Sequence, residues 1–225
     1  LHMISHHPSQ PEDMHVHSTF SDGKHTIEQN LTKAELIGLR RFTCVDHVRV
    51  DSTYLPDFVA EVRRQSKGRG MDVFTGVEAK ILDGSGLLDL PSDLRGVDLL
   101  YAADHQFPLG DRCYKPREIR QQLQQGILSE AQVIAALFDA TLGVLNRYPR
   151  VVLAHLFSVV PKIGLQEDEL PLSRIAELAW AAKYALAAIE IDERWRCPSA
   201  RTVQVFHQAG VPIFRSTDSH NRETI

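Results

Sequence analysis

The residues best suited to chemistry cluster at positions 13–22, which read Asp-Met-His-Val-His-Ser-Thr-Phe-Ser-Asp. Side chains alternate between the faces of a strand, so His15 and His17 are expected on one face with Met14 and Val16 on the other. Two imidazoles then converge on one point, and neutral imidazole nitrogens suit zinc, iron, copper and nickel. Asp22 can add a hard oxygen. Alone, His-x-His is a weak signal in a chain with 11 histidines. Its weight comes from residues further along the chain, and those depend on the elements that carry them.

From Asp13 onward, short apolar runs alternate with longer amphipathic ones, the pattern of a parallel α/β fold. The first strand is expected at 13–17. Thr26 reads as a helix N-cap, with an apolar face at Ile27, Leu31, Ala34 and Leu36–Ile37 and a stop at Gly38. Further strands are expected at 42–45, 73–77, 97–103, 151–154, 186–191 and 212–215, with helices at 56–66, 116–125, 129–147, 173–184 and 198–208 between them. The Gly/Asp-rich stretch 82–96 reads as a turn region or β-hairpin, and 106–115 and 156–170 read as loops. Seven strands result. With only five residues after His220, no closing helix is expected at the end of the chain.

Polar residues recur at one end of these strands. His15 and His17, His47, Glu78, His105, His155, and Asp218 with His220 each fall at the carboxyl end of an expected strand. In a barrel of parallel strands those ends share one mouth, where sites are built. Histidines scattered through core or surface have no reason to favour that end, so the shared position says more than any one motif. His25 and His207 lie off the strand ends and read as surface or packing residues. Asp46 and Asp104 directly precede histidines, and they either orient those rings or are plain polar loop residues. Glu190, on the sixth strand, is a weaker site candidate.

Taken together, these stretches resemble the PHP superfamily, the polymerase and histidinol phosphatase group of metal-dependent phosphoesterases. The resemblance rests on 13–23 (Asp-Met-His-Val-His-Ser-Thr-Phe-Ser-Asp-Gly), Val-Asp-His at 45–47, Gly-Val-Glu-Ala at 76–79, Ala-Asp-His at 103–105, Leu-Ala-His at 153–155 and Ser-Thr-Asp-Ser-His at 216–220. It implies an α/β fold, a distorted (βα)7 TIM-like barrel with its metal site at the C-terminal ends of the strands. It also implies three divalent ions, of zinc, iron or manganese. His15, His17, Glu78 and Asp218 would hold one, Glu78 with His105 and His155 a second, and Asp22, His47 and His220 a third. Three such ions against three carboxylates leave a site of about +3, which favours a phosphate dianion. The implied reaction is hydrolysis of a small phosphomonoester by hydroxide generated on the metals, with Asp218 or His220 accepting a proton. Of the basic residues on that face (Arg49, Lys80, Arg112, Lys115, Lys162, Arg194, Arg196), Arg194 and then Arg49 are the first choices for a phosphate clamp, with Arg196 beside them.

Other readings share part of the pattern. An amidohydrolase-type enzyme cleaving C–N or C–O bonds also begins with His-x-His on a first barrel strand, but Asp-His after the second strand and Asp-x-His at the last fit the PHP pattern better. A non-catalytic metal-binding module and a 3′-end nuclease are the remaining alternatives; this chain keeps every ligand. The composition, 43% hydrophobic and 24% charged, is that of an ordinary globular chain with no membrane-length apolar run. A cytoplasmic location is expected. A net charge of −4 disfavours a broad nucleic-acid surface and leaves a small phosphorylated partner. Cys44, Cys113 and Cys197 are odd in number and widely spaced, and they read as reduced thiols. Residues 1–12, including His2, His6 and His7, are expected to form a flexible tail outside the site, and 13–225 a single barrel domain.

Overall fold

Seven parallel strands form one sheet, joined by helices, in a computed structural model that describes residues 10–225. In chain order the elements are β1 (Glu12–Val16), α1 (Ile27–Leu36), β2 (Arg41–Val48), α2 (Leu55–Ser66), β3 (Asp72–Lys80), β4 (Leu99–Ala103), β5 (Phe107–Leu109), β6 (Arg112–Tyr114), α3 (Pro116–Gln124), α4 (Glu130–Arg147), β7 (Val152–Ala154), α5 (Val160–Ile163), α6 (Leu172–Tyr184), β8 (Ala188–Asp192), α7 (Ala200–Ala209) and β9 (Ile213–Ser216). The sheet runs β1-β2-β3-β4-β7-β8-β9 and nearly closes into a distorted (βα)7 barrel. Its seam is stitched where His17 N donates to Ser219 O at 2.8 Å and Ser219 N donates to His15 O at 3.2 Å.

The helices follow their local signals. Thr26 caps α1 in a capping box with Gln29, and Ser129 does the same for α4 with Gln132. A large apolar layer packs the helices on the outside of the sheet, with Val16, Phe42, Cys44, Val77 and Phe138 among its members. A smaller cluster made of strand residues fills the barrel: Met14, Val45, Leu99, Tyr101, Ala103, Val152, Ala154, Ala188 and Phe214. Arg41 lies among these interior residues, 2.6 Å from Glu12 and between the rings of Phe74 and Phe214.

Several expectations are corrected. Strand β1 begins at Glu12, so the end of the expected tail is already in the sheet. The expectations for His2, His6 and His7 lie outside the described residues. Leu36 is 81% exposed and Ile37 43%, so the apolar face of α1 ends at Ala34. No hairpin forms at 82–96 beyond an isolated Ile81–Leu88 bridge. Gly86 there presses on α4, where a Cβ would lie 2.2 Å from Val144 N. The hairpin is instead β5–β6, inside the expected 106–115 loop, turning at Gly110 with φ of 64°. The 156–170 loop contains α5 and a 3₁₀ turn at Glu167–Glu169. Among the described residues no helix is long and apolar enough to cross a membrane.

Candidate metal centre

Strand register places the site. His47 pairs with Glu78 and Glu78 with Tyr101 across β2, β3 and β4, so all three side chains enter the barrel at one level. In β1 the register shifts between Asp13 and Val16, where three steps of β1 span two of β2. This bulge changes the expected alternation: Met14 joins the interior cluster while Val16 stays in the outer layer. His15 and His17 still converge, with their Nε2 atoms 3.2 Å apart.

The expected residues meet around Glu78. Its Oε1 lies 3.0 Å from both His105 Nε2 and His155 Nε2. Its Oε2 lies 2.9 Å from His47 Nδ1, 3.4 Å from His17 Nε2 and 3.5 Å from His15 Nε2. Asp218 Oδ1 stands 3.1 Å from His17 Nε2, and Asp22 reaches His220 at 3.2 Å and His47 at 3.5 Å. Three overlapping groups could each hold an ion: His15, His17 and Asp218; His47, Glu78 and His105; and His17, Asp22, His47 and His220. His155 stands outside these groups and joins the cluster through Glu78.

Buried atoms without partners test whether these residues suit cations. Glu78 Oε2 and His17 Nδ1 are buried with no hydrogen bond, although three imidazole nitrogens face that carboxylate oxygen. Imidazole nitrogens and a carboxylate oxygen that converge in burial while that oxygen takes no hydrogen bond fit a shared cation, since buried polar groups are otherwise hydrogen-bonded. Burial opposes charge on Glu78, yet His105 and His15 outweigh it and hold the carboxyl well below its usual range. Burial likewise opposes charge on His15, and Glu190 and Glu78 overcome it, raising that ring's pKa.

Outer partners fix several of these rings. Glu190 is fully buried, and its carboxylate oxygens lie 3.2 and 3.1 Å from His15 Nδ1. A proton on Nδ1 donating to that carboxylate leaves Nε2 as a lone pair aimed into the cluster. Glu190 Oε1 also accepts from His155 N at 2.7 Å. Asp104 does not orient His105, the ring it precedes. It faces His155 Nδ1 at 3.5 Å and accepts from Ser158 Oγ at 2.9 Å. Asp46 accepts from Ser18 N and from the Ser18 and Ser21 hydroxyls, so it pins the loop that carries Asp22.

Two cavities flank the cluster. One of about 320 Å³ is lined by Asp22, His47, Arg49, Glu78, Lys80, Asp89 and His105. The other, about 520 Å³, is lined by Lys24, Glu193, Arg194, Asp218, His220 and Asn221. Arg194 NH1 donates to Asp218 O at 3.0 Å and stands 2.7 Å from His220 Nδ1. Arg196 is exposed and lines neither cavity, and Arg112 and Lys115 line a third pocket beside the β5–β6 hairpin. Lys162 lies over Trp195, 3.9 Å from the ring centroid.

Fold and site together define a barrel of parallel strands with a histidine–carboxylate cluster at its carboxyl-end mouth. Within that class, a model of the PHP domain matches residues 13–185, and the chain belongs to the PHP domain family. A protein from Acetivibrio thermocellus named "Probable phosphatase" is 30% identical over 121 residues, half of this chain and 46% of that relative. The fold is shared with histidinol phosphate phosphatase from Lactococcus lactis, solved with zinc, L-histidinol and phosphate. That likeness has a TM-score of 0.69 at 20% identity and covers 95% of this chain and 87% of the other. A candidate histidinol phosphatase from Listeria monocytogenes superposes with a TM-score of 0.74 at 14% identity, covering 95% of this chain and 97% of the other.

Proposed function

We propose that this chain is a metal-dependent phosphatase acting on a small phosphomonoester. The observation that carries the reading is the Glu78 carboxylate, with an unpartnered oxygen among converging imidazoles and a cavity opening beside it in which Arg49 and Lys80 stand with Asp22 and Asp89. His15, His17, Glu78 and Asp218 would hold one ion, Glu78, His105 and His155 a second, and Asp22, His47 and His220 a third. When bound, divalent cations lower the pKa of coordinated water toward neutrality and polarise phosphoryl oxygens.

The chain's own residues do the rest. Arg49 and Lys80, in the cavity that also exposes His47 and His105, are the groups placed to receive a phosphate dianion. Arg194 is tied to Asp218 and His220, so its first task is to brace those two side chains. Of the two proton carriers considered, His220 is the more open, with its side chain 22% exposed against 6% for Asp218. Its Nδ1 lies 2.7 Å from Arg194 NH1, which can only donate, and its Nε2 faces Asp22 at 3.2 Å.

The family membership and the phosphatase named among the relatives support phosphate ester hydrolysis over amide or lactam cleavage. Histidinol phosphate belongs in the substrate panel because a fold neighbour was solved with histidinol and phosphate. The test is phosphate release from histidinol phosphate, sugar phosphates, nucleotides and short oligonucleotides, beside an amide and lactam panel. Metal-stripped and reconstituted protein would be compared. Metal-dependent release from small monoesters is expected; stripped protein as fast as reconstituted protein refutes the reading, and turnover confined to lactams or amides replaces it.

A further inference from the structure

The loop after β8 is held at its base and aims two side chains at Asp218. Asp192 N donates to Cys197 O at 2.8 Å, and Cys197 N returns a bond to Asp192 O at 3.3 Å. Inside this closure Trp195 N donates to Asp192 Oδ1 at 2.8 Å, and Arg196 takes a left-handed φ of 53°. The turn thereby projects Arg194 and Trp195 toward the end of β9. There the Trp195 indole Nε1 donates to Asp218 Oδ2 at 2.7 Å, and Arg194 NH1 reaches the same oxygen at 3.2 Å. The other oxygen, Oδ1, faces His17 Nε2 at 3.1 Å and His15 Nε2 at 3.9 Å.

We infer that Trp195 is a positioning residue that holds Asp218 to single-oxygen coordination through Oδ1, an inference that rests on the reading of Asp218 as a metal ligand. A free carboxylate can rotate and offer a cation one oxygen or both. An indole N–H is a donor only, so it occupies Oδ2 without competing for the ion. Core packing does not account for this ring, which is 37% exposed. What holds it is specific: Lys162 Nζ lies 3.9 Å and Arg194 Cζ 5.3 Å from the ring centroid. Asp218 itself sits at a φ of 46°, a strained conformation that persists where the surroundings over-determine it. Loop, cation–ring contacts and hydrogen bond thus fix one carboxylate from outside the cluster.

The chain has two tryptophans, so Trp180→Phe on the half-exposed face of α6 leaves Trp195 as the sole indole emitter. In that background, metal-stripped protein is titrated with zinc against a chromophoric chelator, and emission is followed in parallel. Zinc is expected to change Trp195 emission, and Trp195→Phe to weaken zinc binding by about 10- to 100-fold without lowering the metal-free melting temperature. Asp218→Asn is the companion variant. If it weakens zinc binding while Trp195→Phe binds zinc as the parent does, the positioning role is overturned and Asp218 remains a ligand. If neither variant changes zinc binding, both are overturned. Should Trp195→Phe fail to fold, emission decides: an indole unmoved by zinc overturns the inference.

Discussion

Replacing Glu190 with glutamine changes one atom of a buried group and should disable the site without unpacking the barrel. The carboxylate serves two donors at once, His155 N at 2.7 Å and His15 Nδ1 at 3.1 and 3.2 Å. A glutamine has one acceptor oxygen. If that oxygen stays with His155 N, the amide NH₂ takes the Oε2 place, 3.1 Å from His15 Nδ1, and favours a lone pair on that nitrogen. The ring proton moves to Nε2, the atom 3.2 Å from His17 Nε2 and 3.5 Å from Glu78 Oε2. His15 can no longer offer that nitrogen to a cation. If the amide turns the other way, its NH₂ meets the His155 N–H, and a buried donor left unsatisfied costs about 1–3 kcal/mol.

The two outcomes separate in measurement. Losing an outer carboxylate partner of a ligating histidine weakens metal binding by about 10- to 100-fold, which corresponds to about 1.4–2.7 kcal/mol. The expected result for Glu190→Gln is therefore zinc affinity reduced by that factor in a chelator competition, with a metal-free melting temperature near that of the parent. Glu190→Ala, which strands both donors, should lower the melting temperature as well. Zinc affinity for Glu190→Gln within twofold of the parent would refute the claim that this carboxylate sets the His15 tautomer.

Three further outcomes are expected. Gly23→Ala should cripple metal binding, because its Cβ would lie 2.5 Å from both His17 C and His17 O; a displacement of about 1 Å in a site can cost about 100-fold, and zinc affinity equal to the parent would count against it. Glu12→Ala should destabilise the fold by about 3–5 kcal/mol by leaving the buried Arg41 guanidinium without its carboxylate, a change read from urea unfolding. Burial, with Glu190 nearby, pushes the Asp192 carboxyl up to about 7, so folding loses stability as pH rises from the unfolded carboxyl value to that point. Asp192→Asn removes this loss, and its stability relative to the parent should improve by up to about 3 kcal/mol between pH 5 and pH 8; a pH-independent difference in metal-free melting would show the shift is absent.

Local patterns carried much of this structure. Strand ends are marked by short apolar runs followed by a polar residue, and that position alone gathered His47, Glu78, His105 and His155 before any geometry was known. What stayed hidden is non-local. Glu190 and His15 are separated by 175 positions, and only the order of strands around the barrel brings them together. Asp104 reads locally as a neighbour of His105, but its partner is His155, on the next strand of the sheet. The β1 bulge left no mark, since Asp-Met-His-Val-His alternates equally well with or without an extra residue. The hairpin was a missed signal of another kind: Leu-Gly-Asp at 109–111 is turn chemistry, while the glycines at 84 and 86 serve close packing.

The seam between β1 and β9 explains why so many of the proposed ligands sit on the two ends of the sheet. It is joined by the isolated Val16–Ser219 bridge, in place of the continuous ladder that links β2 and β3. Side chains supplement it: Asp13 accepts from Thr217 N at 3.1 Å and Thr217 Oγ1 at 2.6 Å, and Glu12 accepts from Arg215 N at 2.9 Å. His15, His17 and Asp22 follow from the first strand, Asp218 and His220 from the last, and Glu78 faces them from β3. Under the proposed function, ions held by these residues would tie the seam to β3 where a single bridge stands in for a ladder. Ligands placed on β2 and β3 alone would bind an ion without closing anything. Placed across the seam, the same binding free energy favours the closed barrel, because an ion that binds only the assembled site stabilises that state by mass action.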